Sequence, residues 1–181
     1  MTSIPFIKGA GIYLRELNES DLNGSWYSWL NDQEVTKFQN KGIFPNTREK
    51  QKQYLDYLNG SKNDVAFAIV ETESNKHIGN VGLHHIDWVH HSAELGIVLG
   101  EKSAWGKKYG KQSWQLITEY GFNVLNLHRI YAQIMEGNIA SCKSAESAGF
   151  VQVGFVPDAF YKNGQYIGFH YYNRIRTQLP L

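Results

Sequence analysis

Gly100-Glu101-Lys102-Ser103-Ala104-Trp105-Gly106-Lys107-Lys108-Tyr109-Gly110 joins an alternating apolar run, residues 93–99, to a helical stripe carrying Trp114, Ile117, Phe122 and Leu125. A strand that passes through glycines into a helix is, in outline, a cradle for an anion. The helix start leaves backbone N–H groups without intrahelical partners and carries partial positive charge, so a glycine-containing turn there can hold phosphates. Lys102, Lys107, Lys108 and Lys111 add local positive charge. Two familiar phosphate loops are excluded. A nucleoside-triphosphate loop needs Gly, four residues, then Gly-Lys-Ser/Thr; here Gly100 to Gly106 is one residue too long and Lys108 stands where the hydroxyl belongs. A dinucleotide fingerprint lacks its three-glycine spacing. The plain alternative is a basic surface loop.

Working outward, residues 65–70 and 77–83 with a turn at 73–76 read as a β-hairpin, and residues 93–99 add a third strand beside it. Upstream, residues 12–17 alternate as a strand. Ser20 and Asp21 then offer a helix cap ahead of Trp26, Tyr27 and Trp29, and Thr47 opens a second helix bearing Tyr54, Leu55 and Leu58. Downstream come a helix over 111–125, a strand over 129–134, a short helix over 140–148 and a strand over 150–156. An Asn163-Gly164 turn leads to a last strand over 167–175. This order predicts an α/β (α+β) fold with a mixed sheet, in one domain over residues 1–181.

Composition bounds the function. The 181 residues are 42% hydrophobic and 19% charged, enough apolar material for a core in a single domain. Lys+Arg 18 against Asp+Glu 17 gives a net charge of +1, so no global field favours nucleic acid or an anionic membrane. The single cysteine, Cys142, excludes an intrachain disulfide and reads as packing rather than as a nucleophile. No basic leader with an apolar run opens the chain and no apolar run spans a bilayer, which predicts a soluble cytoplasmic protein. The pairs His84-His85 and His90-His91 flank Asp87, but adjacent strand residues point to opposite faces, so no metal site is expected.

Taken together, several segments in their order and spacing make the chain resemble the GNAT superfamily of acetyl-CoA-dependent N-acetyltransferases. The branch it resembles holds the ribosomal-protein-alanine and spermidine acetyltransferases. The segments are residues 12–21, His77-Ile78-Gly79-Asn80-Val81-Gly82, Ala93-Glu94-Leu95-Gly96-Ile97, Trp105 to Gly110, Asn126-Leu127-His128-Arg129-Ile130, Asn138-Ile139-Ala140-Ser141 and Ser147-Ala148-Gly149-Phe150. The resemblance implies a mixed, mostly antiparallel twisted sheet of about seven strands flanked by helices and splayed between strands 4 and 5.

It also implies acetyl-CoA as co-substrate and a primary amine as acceptor, without a metal. Backbone groups of Ile97, Val98 and Leu99 would meet the pantetheine. Trp105, Gly106 and Lys107, then Lys108, Tyr109, Gly110 and Lys111, would hold the pyrophosphate, with Asn138, Ser141 and Lys143 across from them. Glu94 would take the amine proton; its plain alternative is a solvent-facing strand glutamate, as that of Asn138 is a helix cap. Ser141 would bond the departing sulfur, because Ala145 occupies the position where many members place a tyrosine. The loop departs from the family's Gln/Arg-x-x-Gly-x-Gly/Ala pattern at Trp105 and Lys108, and Lys108 in a left-handed turn costs about 1 kcal/mol.

Trp29, Asp32, Glu34, His85 and His91 are expected to line the acceptor pocket. The near-neutral charge weighs against a polyamine. The aromatics and amides of the N-terminal third favour a nucleotide-linked amino sugar, with a protein N-terminal amine close behind and a polyamine as the alternative. A CoA-binding relative without turnover is the alternative of a different class. The final strand, Ile167 to Ile175, is aromatic-rich, which fits pairing across a homodimer.

Overall fold

The computed structural model describes residues 4–177. Its strands are β1 (Ile7–Lys8), β2 (Ile12–Glu16), β3 (Val65–Glu71), β4 (His77–Asp87), β5 (Ser92–Leu99), β6 (Arg129–Met135), β7 (Val151–Lys162) and β8 (Gln165–Ile175). They form one sheet in the order β1-β2-β3-β4-β5-β6-β8-β7, antiparallel at every junction except β5–β6. Among the described residues four α-helices flank it: α1 (Trp26–Trp29), α2 (Arg48–Gly60), α3 (Tyr109–Asn123) and α4 (Ile139–Ser147).

Strand alternation divides the core in two. Ile12, Leu14, Ile69, Leu83 and Leu95 pack with Trp114 and Ile117 of α3 and Ala145 of α4. Tyr13, Ala68, Val70 and Val98 face the other way, against Trp26, Trp29 and Leu55 of α1 and α2. The central strands are therefore covered on both faces, which is why residues 65–70 read as a continuous apolar run.

Several expectations are corrected. The sheet has eight strands among the described residues where about seven were expected, because the two-residue edge strand β1 precedes those read from periodicity; the expected splay between strands 4 and 5 is therefore the one found between β5 and β6. Ser20 and Asp21 do not cap α1. Asn18 opens the preceding 3-10 turn by accepting from the Ser20 N–H at 3.0 Å, while Asp21 is buried and ion-paired to Arg15 at 2.7 Å. Thr47 caps α2 as expected, its hydroxyl accepting from the Lys50 N–H at 3.2 Å. The helix expected over 111–125 starts two residues earlier, because left-handed Lys108 (φ 65°, ψ 13°) turns the chain directly into it. The final strand, β8, lies between β6 and β7, so any strand pairing across a dimer at that end of the sheet falls to β7. Among the described residues no helix is long and apolar enough to cross a membrane.

Candidate active site

β5 and β6 pair only through Ser92–Arg129, Ala93–Ile130 and Glu94–Tyr131; beyond Glu94 they separate. The β4–β5 ladder decides what the gap receives. Gly100 N–H donates to Ile78 C=O at 3.0 Å, and in an antiparallel pair bonded positions alternate. Glu94, Gly96 and Val98 thus bond to β4, whereas Leu95, Ile97 and Leu99 turn their N–H and C=O groups into the gap. Two of those carbonyls are met by side chains. Gln39 Nε2 donates to Ile97 O at 3.1 Å and Trp105 Nε1 to Leu99 O at 2.9 Å. Trp105 therefore has a definite role in a position where the resembled family carries Gln or Arg.

The loop from Gly100 folds back to place the start of α3 at the mouth of the gap. Gly106 (φ 78°) and Lys108 (φ 65°) are both left-handed, and no side chain among the described residues caps the start of α3. A Cβ at Gly110 would lie 3.5 Å from both Leu99 and Ser144, so the start of α3 touches β5 on one side and α4 on the other. Lys107 Nζ and Tyr109 OH both reach Glu71, at 3.0 and 2.9 Å. Donors from Ser74, Lys107 and Tyr109 pull the Glu71 carboxyl down to about 2. Lys111 and Lys143 are exposed beside the mouth. Asn138 caps α4, accepting from the Ser141 N–H at 3.2 Å, and Ser141 is half-buried in the first turn.

On the α1/α2 side of the sheet, Glu94 lies across from His84 on β4 and Tyr131 on β6. Its carboxylate is one-quarter exposed and lies 3.3 Å from His85 Nδ1. Tyr131 stacks on Tyr171 with centroids 5.5 Å apart. His85 is thus brought to Glu94, but the other expected acceptor residues are placed differently. The backbone carbonyl of His91 accepts from the N–H groups of His128 and Arg129 at the closed end of the β5–β6 junction. Asp32 and Glu34 both grip Lys102, at 2.7 and 2.6 Å. Trp29 is 4% exposed and fills the place of a Cβ at Gly100, behind the cleft wall.

Sequence reading missed Gln39, Lys162 and Asp64, and weighed His84 only as half of a candidate metal pair. Lys162 Nζ donates to the carbonyls of Thr36 and Gln39, pinning the segment over residues 31–46 against the β7–β8 hairpin. Asp64 binds His84 Nδ1 at 3.2 Å. No periodicity signals such contacts; only the chemical oddity of a histidine at the strand position facing Glu94 could have. Among the described residues no group of three or more His, Cys, Asp or Glu is arranged to hold a metal.

Residues 12–151 match the acetyltransferase (GNAT) domain family. The chain is 29% identical over 165 residues to a Bacillus licheniformis protein named an uncharacterized N-acetyltransferase, p20, covering 90% of each. It is 33% identical over 98 residues to the spermidine N(1)-acetyltransferase of Vibrio cholerae, covering 54% of this chain and 56% of that one. The fold superimposes with a TM-score of 0.84 on a Vibrio cholerae spermidine N-acetyltransferase crystallised with CoA and spermine, at 22% identity over 92% of this chain and 96% of the other. With its splayed strands, glycine-bearing loop and matching family domain, the chain belongs to the GNAT acetyltransferase family and is an acyltransferase.

Proposed function

We propose that the chain transfers the acetyl group of acetyl-CoA to a primary amine in a ternary complex, and that this amine is a polyamine-type alkylammonium. The splay between β5 and β6 carries the reading, because Ile97 and Leu99 present backbone groups sideways to a ligand able to act as a surrogate strand. Gln39 and Trp105 leave room for this, since each carbonyl oxygen has a second lone pair. The Leu99 N–H faces the same gap, where it stabilises negative charge growing on an acetyl oxygen. The first amides of α3, with Gly106, Lys107, Lys108 and Lys111, receive the pyrophosphate. Asn138 and Lys143 flank it from α4.

Glu94 draws in the ammonium form of the amine and holds it for deprotonation, and Ser141 bonds the departing sulfur. The carboxylate beside the stacked Tyr131–Tyr171 pair suits a flexible alkylammonium. The amino sugar expected from the aromatics is set aside, because Trp26 and Trp29 are buried and cannot stack on a ring. The Vibrio cholerae relative is named for spermidine.

The test is calorimetric titration with acetyl-CoA beside CoA lacking its 3′-phosphate, then CoA release with spermidine, glucosamine and an alanine-starting peptide. Saturable binding and fastest release with spermidine are expected, and Glu94→Gln lowers kcat on that amine by about 10²-fold. No saturable heat and no CoA release with any of the amines overturns the proposal.

A further inference from the structure

His84 lies at the point where the acceptor face of the sheet meets the splay, and its environment specifies which ring nitrogen carries the proton. Nδ1 is 3.2 Å from Asp64 Oδ1. That carboxylate, whose side chain is 6% exposed, also accepts from Tyr57 OH at 2.5 Å, Ser61 Oγ at 3.0 Å and the His85 N–H at 3.2 Å. Burial alone would raise the Asp64 pKa, but these donors outweigh it and hold the group ionised. An ionised carboxylate only accepts, so His84 Nδ1 bears the hydrogen and Nε2 keeps its lone pair.

Nε2 has no hydrogen-bond partner among the described residues. The ring edge lies over the Gly82–Gly96 pair, where a Cβ would come within 3.0 and 3.3 Å of Nε2 respectively. Two glycines thus clear the space for this rotamer, and Nε2 is presented two positions beyond Glu94, where β5 has left β6.

We propose that His84 Nε2 takes the proton of the acceptor ammonium, with Asp64 fixing the tautomer and Glu94 holding the ammonium beside it. This deepens the acyl-transfer reading and rests on it. One proton passes from R–NH3+ to Nε2, freeing the lone pair that forms the N–C bond. As the C–S bond breaks, a second proton leaves the nitrogen and ends on the departing sulfur, and the imidazolium returns its proton to solvent. Burial, with the like charge of neighbouring His85, holds His84 below the ordinary histidine range against the opposing pull of Asp64 and Glu94, so the ring is neutral near pH 7.

The experiment has two arms. In protein labelled with 15N-histidine, His84 is expected in the Nδ1–H form at pH 7, and Asp64→Asn is expected to redistribute the tautomers. With acetyl-CoA and spermidine, His84→Gln is expected to lower kcat/KM for the amine about 10²-fold, abolish the acidic limb of its pH profile and leave the KM for acetyl-CoA unchanged. Asp64→Asn is expected to lower the rate less and to shift that limb. An Nε2–H tautomer in the wild type overturns the proposal. So does a folded His84→Gln variant with the wild-type rate and limb. A wild-type chain that acetylates none of spermidine, glucosamine and the alanine peptide instead overturns the acyl-transfer reading, and this proposal with it.

Discussion

Asp21 shows how a residue's local signal and its tertiary use diverge. After a strand, Ser-Asp reads as a helix cap, yet Asp21 spends its oxygens on Arg15 at 2.7 and 2.8 Å and on the Asn18 N–H at 2.9 Å, with His77 Nδ1 at 3.2 Å. Burial alone would raise the carboxyl; the bonds from Arg15 and His77 outweigh it and hold the group well below the usual range. A depressed folded pKa contributes stability that is complete above the unfolded value near 4 and is lost as pH falls further. Asp21→Asn leaves Arg15 buried without its charge partner and is expected to cost about 3–5 kcal/mol. Thermal melts from pH 6 to 2.5 check both points: the wild-type Tm falls steeply below pH 4, and that of the variant starts lower and falls less.

At the scale of elements, the loop into α3 was legible because its information is local. Gly106 and Gly110 mark the turn, and the apolar stripe from Trp114 to Phe122 marks the helix; both survive in the fold, with Trp114, Ile117 and Phe122 buried. The left-handed strain foreseen at Lys108 is present at φ 65°. Lys108→Gly relieves that strain and is expected to stabilise by about 1 kcal/mol, raising Tm by roughly 2–4 °C. A melt of the variant no higher than wild type would show that Lys108 makes compensating contacts. The roles of Trp105 and Gln39 were not legible, because their targets are carbonyls exposed only when β5 and β6 part.

The segment over residues 31–46 is tied to distant parts of the chain by Asp32 and Glu34 to Lys102, Gln39 to Ile97, and Lys162 to Thr36 and Gln39, besides the nearer bonds of Asn46 to Tyr27 and Gln51. Each joins this segment to a different part of the chain, from the phosphate loop to the far hairpin. Burial lowers the Lys162 pKa, as expected for an ammonium given up by water to backbone carbonyls. Lys162→Met is expected to loosen the segment, so that trypsin cuts faster after Lys37 or Lys41 and the KM for the amine rises several-fold while that for acetyl-CoA holds. Equal cleavage rates and unchanged KM values would show that the other ties suffice.

The sequence by itself determined the elements that rest on near-neighbour chemistry: strands from alternation, α2 from Thr47, the Asn163-Gly164 turn, and the glycine-bearing loop before α3. It also carried the family, since those signals recur in a fixed order. Only the tertiary structure decided what depends on register. The pairing of β4 with β5 sets which carbonyls face the gap, and residues 20 apart, Asp64 and His84, meet because β3 and β4 are adjacent in the sheet. A one-residue slip would turn His84 and Glu94 to the opposite face, so the candidate chemistry belongs to the ladder rather than to any segment of the chain.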